Sequence, residues 1–421
     1  MEFKEMYLID CVNDIIDYRG KTPKKLKDNW SEDGDYRAIS AKNIKNMNLV
    51  NQNSMNKAKA SLYKKWMKKE IDKGDILLTS EAPLGETLYW DFEEKIILSQ
   101  RVFGIKANNE IVNSKYLFAY MQTPFFKHEL FARESGTTVT GIRRKELEKV
   151  IIKVPSIYIQ NYIGQIIYNI NYKINNNNKI IANLEELSQT LFKRWFVDFE
   201  FPDEDGNPYK SSGGEINDTN NLPSNWKYQS AKDIYTINIG KTPPRKLTEL
   251  FNTKNGIDWV SISDMKADGP FINITKENLS ESAVKEYRVK LVPKNSVLLS
   301  FKLTIGRVKI TNKELATNEA IAHFVTNKIN SIYTYLYLKN FNFESLGNTS
   351  SIANAINSKI VKEMPILVPT SEILEKFKEI ITPIFEKIEL QQKENILLTQ
   401  LRDTLLPKLM SGEIEIPDDV E

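Results

Sequence analysis

Histidine and cysteine are nearly missing from this 421-residue chain, which has two of the first and one of the second. The single thiol, Cys11, leaves no internal disulfide to form and fits a reducing cytoplasm. His128 and His323 lie far apart in sequence, so a Cys/His zinc cluster is excluded. No apolar run approaches the roughly 20 residues of a membrane span. The opening residues, MEFKEMYLIDCVND, lack a basic stretch followed by an apolar one, which argues against a secretory leader. Net charge is only +3, so any nucleic-acid partner must be read from local patches rather than overall basicity.

Catalytic signatures are also missing. There is no G-x-G-x-x-G and no Asp/Asn-Pro-Pro-aromatic quartet of the kind amino-methyltransferases use. Gly240-Lys241-Thr242 suggests a phosphate loop, but Tyr235 stands where that loop needs its first glycine, and Pro243 follows where a helix should open. The first copy of the motif has Ile15 at the glycine position. Two histidines in unrelated contexts build no Ser/His/Asp set; His323 reads as structural and His128 as a helix-face residue. Glu93-Glu94-Lys95 resembles a nuclease triplet only as any charged chain does. What the chain does have is 41% hydrophobic residues and enough length for two or three domains.

It also repeats itself, at offsets of 211 to 223 residues. Gly20-Lys21-Thr22-Pro23 returns as Gly240-Lys241-Thr242-Pro243, and Tyr36 to Ser40 as Trp259 to Ser263, each followed by an acid or amide. Lys73 to Thr79 matches Lys294 to Ser300, and Leu84-Gly85 matches Ile305-Gly306. Ser99-Gln100 matches Thr317-Asn318, Gly136 to Thr138 matches Gly347 to Thr349, and Val154-Pro155 matches Val368-Pro369. The conserved order makes the chain a fused pseudo-dimer of two domain-plus-appendage units. Residues 201–221, rich in Gly, Ser and Asp, read as a linker.

After each Val-Pro the pattern turns helical. Ile163, Ile170, Asn177, Leu184 and Leu191 fall seven apart, with Ile166, Ile180 and Leu187 expected at the interleaved places and Lys173 as the exception. The same seam recurs at an offset of 214 in Phe377, Ile384, Gln391, Leu398 and Leu405. Asn177 and Gln391 are equivalent, and a buried amide pair between them would fix register. Pro383 is expected to kink the second helix or to shift its bonding locally. Each helix should run some 36 to 40 residues, about 54 to 60 Å. Paired antiparallel, they would bring the C-terminus back towards the N-terminus; packed separately, they would be two ordinary amphipathic helices.

What recurs beside glycine is basic, hydroxyl and amide side chains, the types that meet phosphates and base edges. In the first copy these are Lys21, Thr22, Lys24, Lys25, Ser40, Lys42, Gln100, Arg101, Thr137, Thr138, Arg143 and Arg144. In the second they are Lys241, Thr242, Arg245, Lys246, Ser263, Lys302, Arg307, Asn318, Asn348 and Thr349. The Lys-rich segment from Lys57 to Lys69 has no clean twin and reads as a solvated face.

On these residues the chain resembles the specificity (S) subunit of type I restriction–modification systems over nearly its whole length. The Gly-Lys-Thr-Pro motifs, Trp259 to Asp264 and the two Val-Pro helix entrances carry the resemblance. The most specific signatures are the helix exits, Leu191-Phe192-Lys193-Arg194-Trp195-Phe196-Val197-Asp198-Phe199 and Leu405 to Ile414. The first copy departs in lacking the Pro-x-x-Trp lead-in seen at Pro223 to Trp226. The resemblance implies an α/β (α+β) fold: two target-recognition domains, 1–154 and 222–368, joined by two long antiparallel helices, 155–200 and 369–411, as a coiled coil with a pseudo-two-fold repeat, ending in a tail, 412–421. It implies double-stranded DNA as ligand, with one half of a bipartite, asymmetric site per domain. It further implies two modification subunits and restriction subunits as partners, a cytoplasmic setting and no membrane. No cofactor or metal is expected in this chain; S-adenosylmethionine, ATP and Mg are expected on the partners. The competing classes are a fused methyltransferase or nuclease with its own catalysis, and a coiled-coil scaffold.

Overall fold

The computed structural model describes residues 2–136, 140–253, 255–302, 304–326, 328–346 and 356–416. The chain divides into two compact units: residues 1–175 with 397–421, and residues 176–396.

The first unit is centred on a four-stranded sheet. Strand Val102–Ala107 lies between Val12–Asp17 and Ile76–Thr79, and Ile76–Thr79 pairs in turn with Thr87–Tyr89, all antiparallel. Ile76, Leu77 and Leu78 are all fully buried because both faces of this sheet are covered. Side chains alternate across the strand. Ile76 and Leu78 join a core with Phe103, Ile105, Tyr116 and Leu117, while Leu77 joins a second core with Ile39, Trp66, Trp90 and Leu98. Strand Tyr36–Ile39 closes the second core, pairing with Lys57–Ala58 on one side and Ile97–Leu98 on the other. A two-stranded ribbon, Lys4–Tyr7 with Ile151–Val154, ties the start of the domain to its end.

The second unit repeats this plan. Thr236–Ile239, Ile321–Val325, Val297–Ser300 and Val308–Thr311 form the same sheet in the same order, with Phe271–Ile272 added at the edge. Val297 and Leu299 face one core and Leu298 the other, again by strand alternation. Ile257–Val260 pairs with Glu277–Leu279 and Ala316–Thr317. Lys227–Ser230 and Pro365–Val368 make the matching ribbon. In each unit a tyrosine hydroxyl reaches that ribbon: Tyr116 donates to the Lys153 carbonyl at 2.6 Å and Tyr333 to the Leu367 carbonyl at 2.8 Å. The stretch read as a linker packs here, with Phe201 buried and stacked against Trp226 and Tyr209.

Two long helices follow the ribbons, Ile157–Phe196 and Ser371–Ser411, of 40 and 41 residues. The second runs unbroken through Pro383, which lies on the exposed face where water can take the carbonyl that the ring leaves free. Within the first unit Leu406 and Leu409 pack into the core that holds Ile163 and Ile167, and Arg402 donates to the Asn171 side-chain oxygen at 2.9 Å. Within the second unit Trp195 meets Phe377 at 5.4 Å between ring centres, while Asn177 reaches Asn395. Both sets of contacts are antiparallel.

The seam differs from the expected one at alternate positions. Ile163, Ile170 and Asn177 are buried, with Leu184 and Leu191 partly so. Their interleaved partners are Ile167, Ile174, Ile181, Ser188 and Trp195, not Ile166, Ile180 and Leu187. Leu187 is 45% exposed, and Lys173 sits harmlessly on the solvent side. A step of four rather than three from each first position keeps the stripe on one face at about 3.6 residues per turn.

The expected amide pair is also corrected. Asn177 donates to Glu394 at 2.8 Å and to the Asn395 side chain at 2.9 Å, not to Gln391. Gln391 is buried, and its side-chain oxygen accepts no hydrogen bond. In an antiparallel pair, equivalent residues meet only at the point where the two helices cross symmetrically. Asn177 lies off that point, so it faces Asn395, about one turn from Gln391.

Among the described residues no helix is long and apolar enough to cross a membrane.

Candidate nucleic-acid interface

Three segments meet at one corner of each unit. The first is the end of the strand carrying the repeated Ile39 or Val260. In the second unit the Ser261 amide and hydroxyl both donate to Asp264, at 2.8 and 2.7 Å, closing a tight cap beneath Ile262 and Ser263. In the first unit the Ser40 amide and hydroxyl donate to the Asn43 side-chain oxygen at 3.1 and 2.9 Å. Asn43 and Asp264 are both buried. Ser40 therefore corresponds to Ser261, and Lys42 to Ser263, a correction of two residues to the sequence match.

The second segment is a hairpin turn. Thr79 and Ser300 close it identically: their amides donate to the carbonyls of Glu86 and Arg307 at 2.8 and 2.9 Å, and their hydroxyls accept from those residues' amides at 2.9 and 3.0 Å. Gly85 and Gly306 stand at φ +88° and +87°, a conformation that favours glycine.

The third segment is the loop before the central strand. The Ser99 amide donates to Ile39 at 2.8 Å, and the Ser80 amide to Arg101 at 2.8 Å. In the second unit Asn318 donates to Val260 and Phe301 to Ala320, both at 3.0 Å. Ser99 thus matches Asn318 and Gln100 matches Glu319, one residue off the sequence alignment.

The Gly-Lys-Thr-Pro motifs do not superpose in role. Gly20 adopts φ +85° in an open bend, whereas Gly240 is pressed on the third segment, where an added Cβ would lie 2.1 Å from the Thr317 hydroxyl. The Lys241 amide donates to Thr317 at 2.9 Å, and its carbonyl accepts from the Trp259 indole at 3.3 Å. Lys21 instead turns inward: its ammonium donates to the Trp66 carbonyl at 2.5 Å and lies 4.0 Å over the Tyr18 ring. Burial, then the nearby Lys68, lower its pKa.

One family matches this duplicated architecture, the type I restriction modification DNA specificity domain, over residues 9–186 and again over 223–400. The chain belongs to that family. Among relatives of this specificity chain, the type I restriction enzyme MjaIX specificity subunit of Methanocaldococcus jannaschii is 26% identical, covering 95% of this chain and 91% of that one. The HindI specificity subunit of Haemophilus influenzae is 27% identical, over 82% and 88%. In fold, the S subunit from M. genitalium aligns with a TM-score of 0.60 at 15% identity, covering 97% and 96%.

In the second unit of the specificity chain, most of the expected contact residues are linked. Arg307 donates to the Ile262 carbonyl at 2.8 Å, joining the hairpin to the serine cap. Arg245 pairs with Glu277 at 2.7 Å and lies 4.5 Å over both Phe251 and Trp259. Thr242 donates to Glu319, and that bond, then the charges of Lys302 and Arg245, hold the Glu319 carboxyl below its usual pKa. Lys241, Lys246, Ser263 and Lys302 are exposed, and the Asn318 side chain accepts from the Ala320 amide at 3.1 Å.

In the first unit Ser40, Lys42, Gln100 and Arg101 share the corner; the Gln100 carbonyl accepts from Ala41 at 3.3 Å, and Lys42 reaches the Ser54 carbonyl at 3.2 Å. Arg101 pairs with Glu81 at 2.9 Å. Arg143 is exposed and adjoins Ile142, whose amide donates to Ser80 on the hairpin at 2.9 Å. Arg144 is taken by Glu148 at 2.9 Å. Thr22 accepts from the Lys25 amide at 3.2 Å, Lys25 reaches the Gly20 carbonyl at 2.7 Å, and Lys24 is exposed. Thr137, Thr138, Asn348 and Thr349 lie outside the described residues.

Sequence reasoning missed Glu81 and Glu319, because acids were not sought at a DNA face. It also missed Arg19, which grips Asp17 at 2.7 Å and donates to the Ile142 carbonyl at 2.9 Å. The candidate triplet at Glu93 is spent on ion pairs with Lys73, Arg37, Glu70 and Asp72. His323 is buried against Thr317 at 2.6 Å, and burial holds its pKa down to about 4, so the ring is neutral.

Proposed function

We propose that this chain is the non-catalytic, DNA-reading subunit of a cytoplasmic type I restriction–modification complex. Each unit reads one half of an asymmetric duplex site, its recognition domain bounded near 1–154 or 222–368. The supporting observation is the duplicated corner: identical backbone hydrogen bonds carry different side chains in the two units, a shared frame with separate readout. Lys241, Lys246, Arg143 and Lys24 are exposed cations suited to phosphates. Ser263, Lys302, Arg307, Asn318, Gln100 and Arg101 lie nearer the frame and suit base edges. Two modification subunits dock on the long helices, where Leu187, Leu390, Leu397 and Leu401 leave apolar surface exposed. Those partners, with restriction subunits, hold the S-adenosylmethionine, ATP and Mg. The test exchanges residues 222–368 for the matching domain of a relative and maps methylated adenines genome-wide with the modification subunits present. One half-site should change and the other stay; change in both halves would refute modular reading. Methyl incorporation by the chain alone would refute the non-catalytic role.

A further inference from the structure

The two corners carry opposite charge on the same frame. In the first unit the hairpin turn bears Glu81 and Glu86, and the facing loop bears Arg101. By the hydrogen-bond register above, Glu81 and Glu86 correspond to Lys302 and Arg307, while the second unit's facing loop bears Glu319. In each arrangement the loop sets one opposite charge against the pair on the hairpin. Glu81 holds Arg101 at 2.9 Å, with the two side chains 34% and 48% exposed. Glu319 is exposed, bonded by Thr242 and under the influence of Lys302.

In that register Glu319 stands at the place of Gln100 and Arg101 at the place of Ala320, so the loop charge reverses between neighbouring positions and changes what the corner shows to a ligand. Phosphates cannot explain it, since a carboxylate repels them. Glu319 is ionised and is therefore an acceptor only. In the major groove the donors are the cytosine and adenine amino groups. Adenine sets its N7 acceptor beside the amino group, which a second carboxylate oxygen would oppose; cytosine does not. Arg101 offers a fork of donors and no acceptor, and guanine O6 and N7 are two acceptors side by side. Exposed ion pairs are weak, so Glu81 can release Arg101 to a base at little cost.

The geometry points to Arg101 and Glu319 as base readers of opposite polarity, Arg101 taking a guanine in one half-site and Glu319 a cytosine in the other. This assignment rests on the reading that each unit recognises one half-site.

The test selects duplexes with a randomised centre on the full chain, alone and with its modification subunits. Glutamine carries a donor and an acceptor and matches adenine N6 and N7. Arg101→Gln should exchange one guanine for adenine in one half-site, and Glu319→Gln one cytosine for adenine in the other. Preference at that position should move about 5- to 150-fold, the worth of one bidentate base contact, with every other position unchanged. Arg101→Ala removes the donors; it should lose the guanine while the rest of its half-site persists, which separates lost readout from lost folding. Unchanged bases with uniformly weaker binding would overturn the assignment. Failure of the unaltered chain and its complex to select any two-part site would overturn the half-site reading itself.

Discussion

Replacing Lys309 with methionine should change how stability depends on pH in a direction that the structure fixes. Strand Val308–Thr311 turns Lys309 inward, where it is 6% exposed and its ammonium donates to the carbonyls of Ala267 and Gly269. That loop is held from its other side by the second long helix: the Gln392 side chain donates to Asp268 at 3.0 Å and accepts from the Phe271 amide at 3.2 Å. Burial lowers the lysine pKa from 10.5 to about 8, against the opposing pull of Glu185 and Asp268. The folded chain therefore binds this proton less tightly than the unfolded chain, and the charged lysine costs stability below about pH 8. The cost is relieved as the pH rises from about 8 towards 10.5, where the unfolded chain still holds the proton. Between about pH 7 and about pH 10 the lysine protein should gain roughly 2–3 kcal/mol relative to Lys309→Met, which has similar length and no titration. Urea unfolding of both proteins at both pH values measures this, and the difference between them cancels every other titrating group. Parallel pH dependences would show that Lys309 is not a buried charge in solution and would refute the reasoning.

Gly240→Ala should destabilise the second unit by at least about 1–3 kcal/mol, since its Cβ would overlap the Thr317 hydroxyl and the Asn318 carbonyl, 2.1 and 2.2 Å away; a lowered melting temperature checks it. Ile181→Asn should cost about 2–5 kcal/mol, because Ile181 is 6% exposed, whereas Leu187→Asn should cost within about 0.5 kcal/mol, because Leu187 is 45% exposed. Equal losses in thermal unfolding would restore the seam read from the sequence. Cys11 should resist alkylation by a thiol reagent near pH 8 until the chain is unfolded, since burial, then Asp10, push its thiol up to about 11; mass spectrometry of native and urea-treated chain decides it.

Much of the corner was legible. The Ser-x-x-Asn and Ser-x-x-Asp caps at Ser40 and Ser261 are visible as a serine followed by an amide or acid, and the Gly85 and Gly306 turns match residue for residue. The matches that slipped, at Ser40, Ser99 and Gly20, lie where loops differ in length. There, identical letters can be aligned without sharing a hydrogen-bond partner, and only the register of the flanking strands separates the two. Arg101 looked like a free cation and is paired; Lys21 looked presented and is turned in. Both outcomes depend on partners, Glu81 and Trp66, that no local pattern places beside them.

The sequence alone determined the duplication, the fully buried central strands at Ile76 to Leu78 and Val297 to Leu299, and the two long helices. The strands are written as short continuous apolar runs, as burial on both faces requires, the helices in a period of about 3.6, and the duplication in motifs that return in order. Tertiary structure decided which residue meets which: Asn177 with Asn395 rather than Gln391, Ile167 and Ile181 in the seam rather than Ile166 and Ile180, and the reversed charges of the two corners on one frame. Those choices turn on hydrogen bonds and packing between residues far apart in the chain. Such contacts are settled by the geometry of whole elements against one another, and a one-residue change in a loop alters them without disturbing any local pattern.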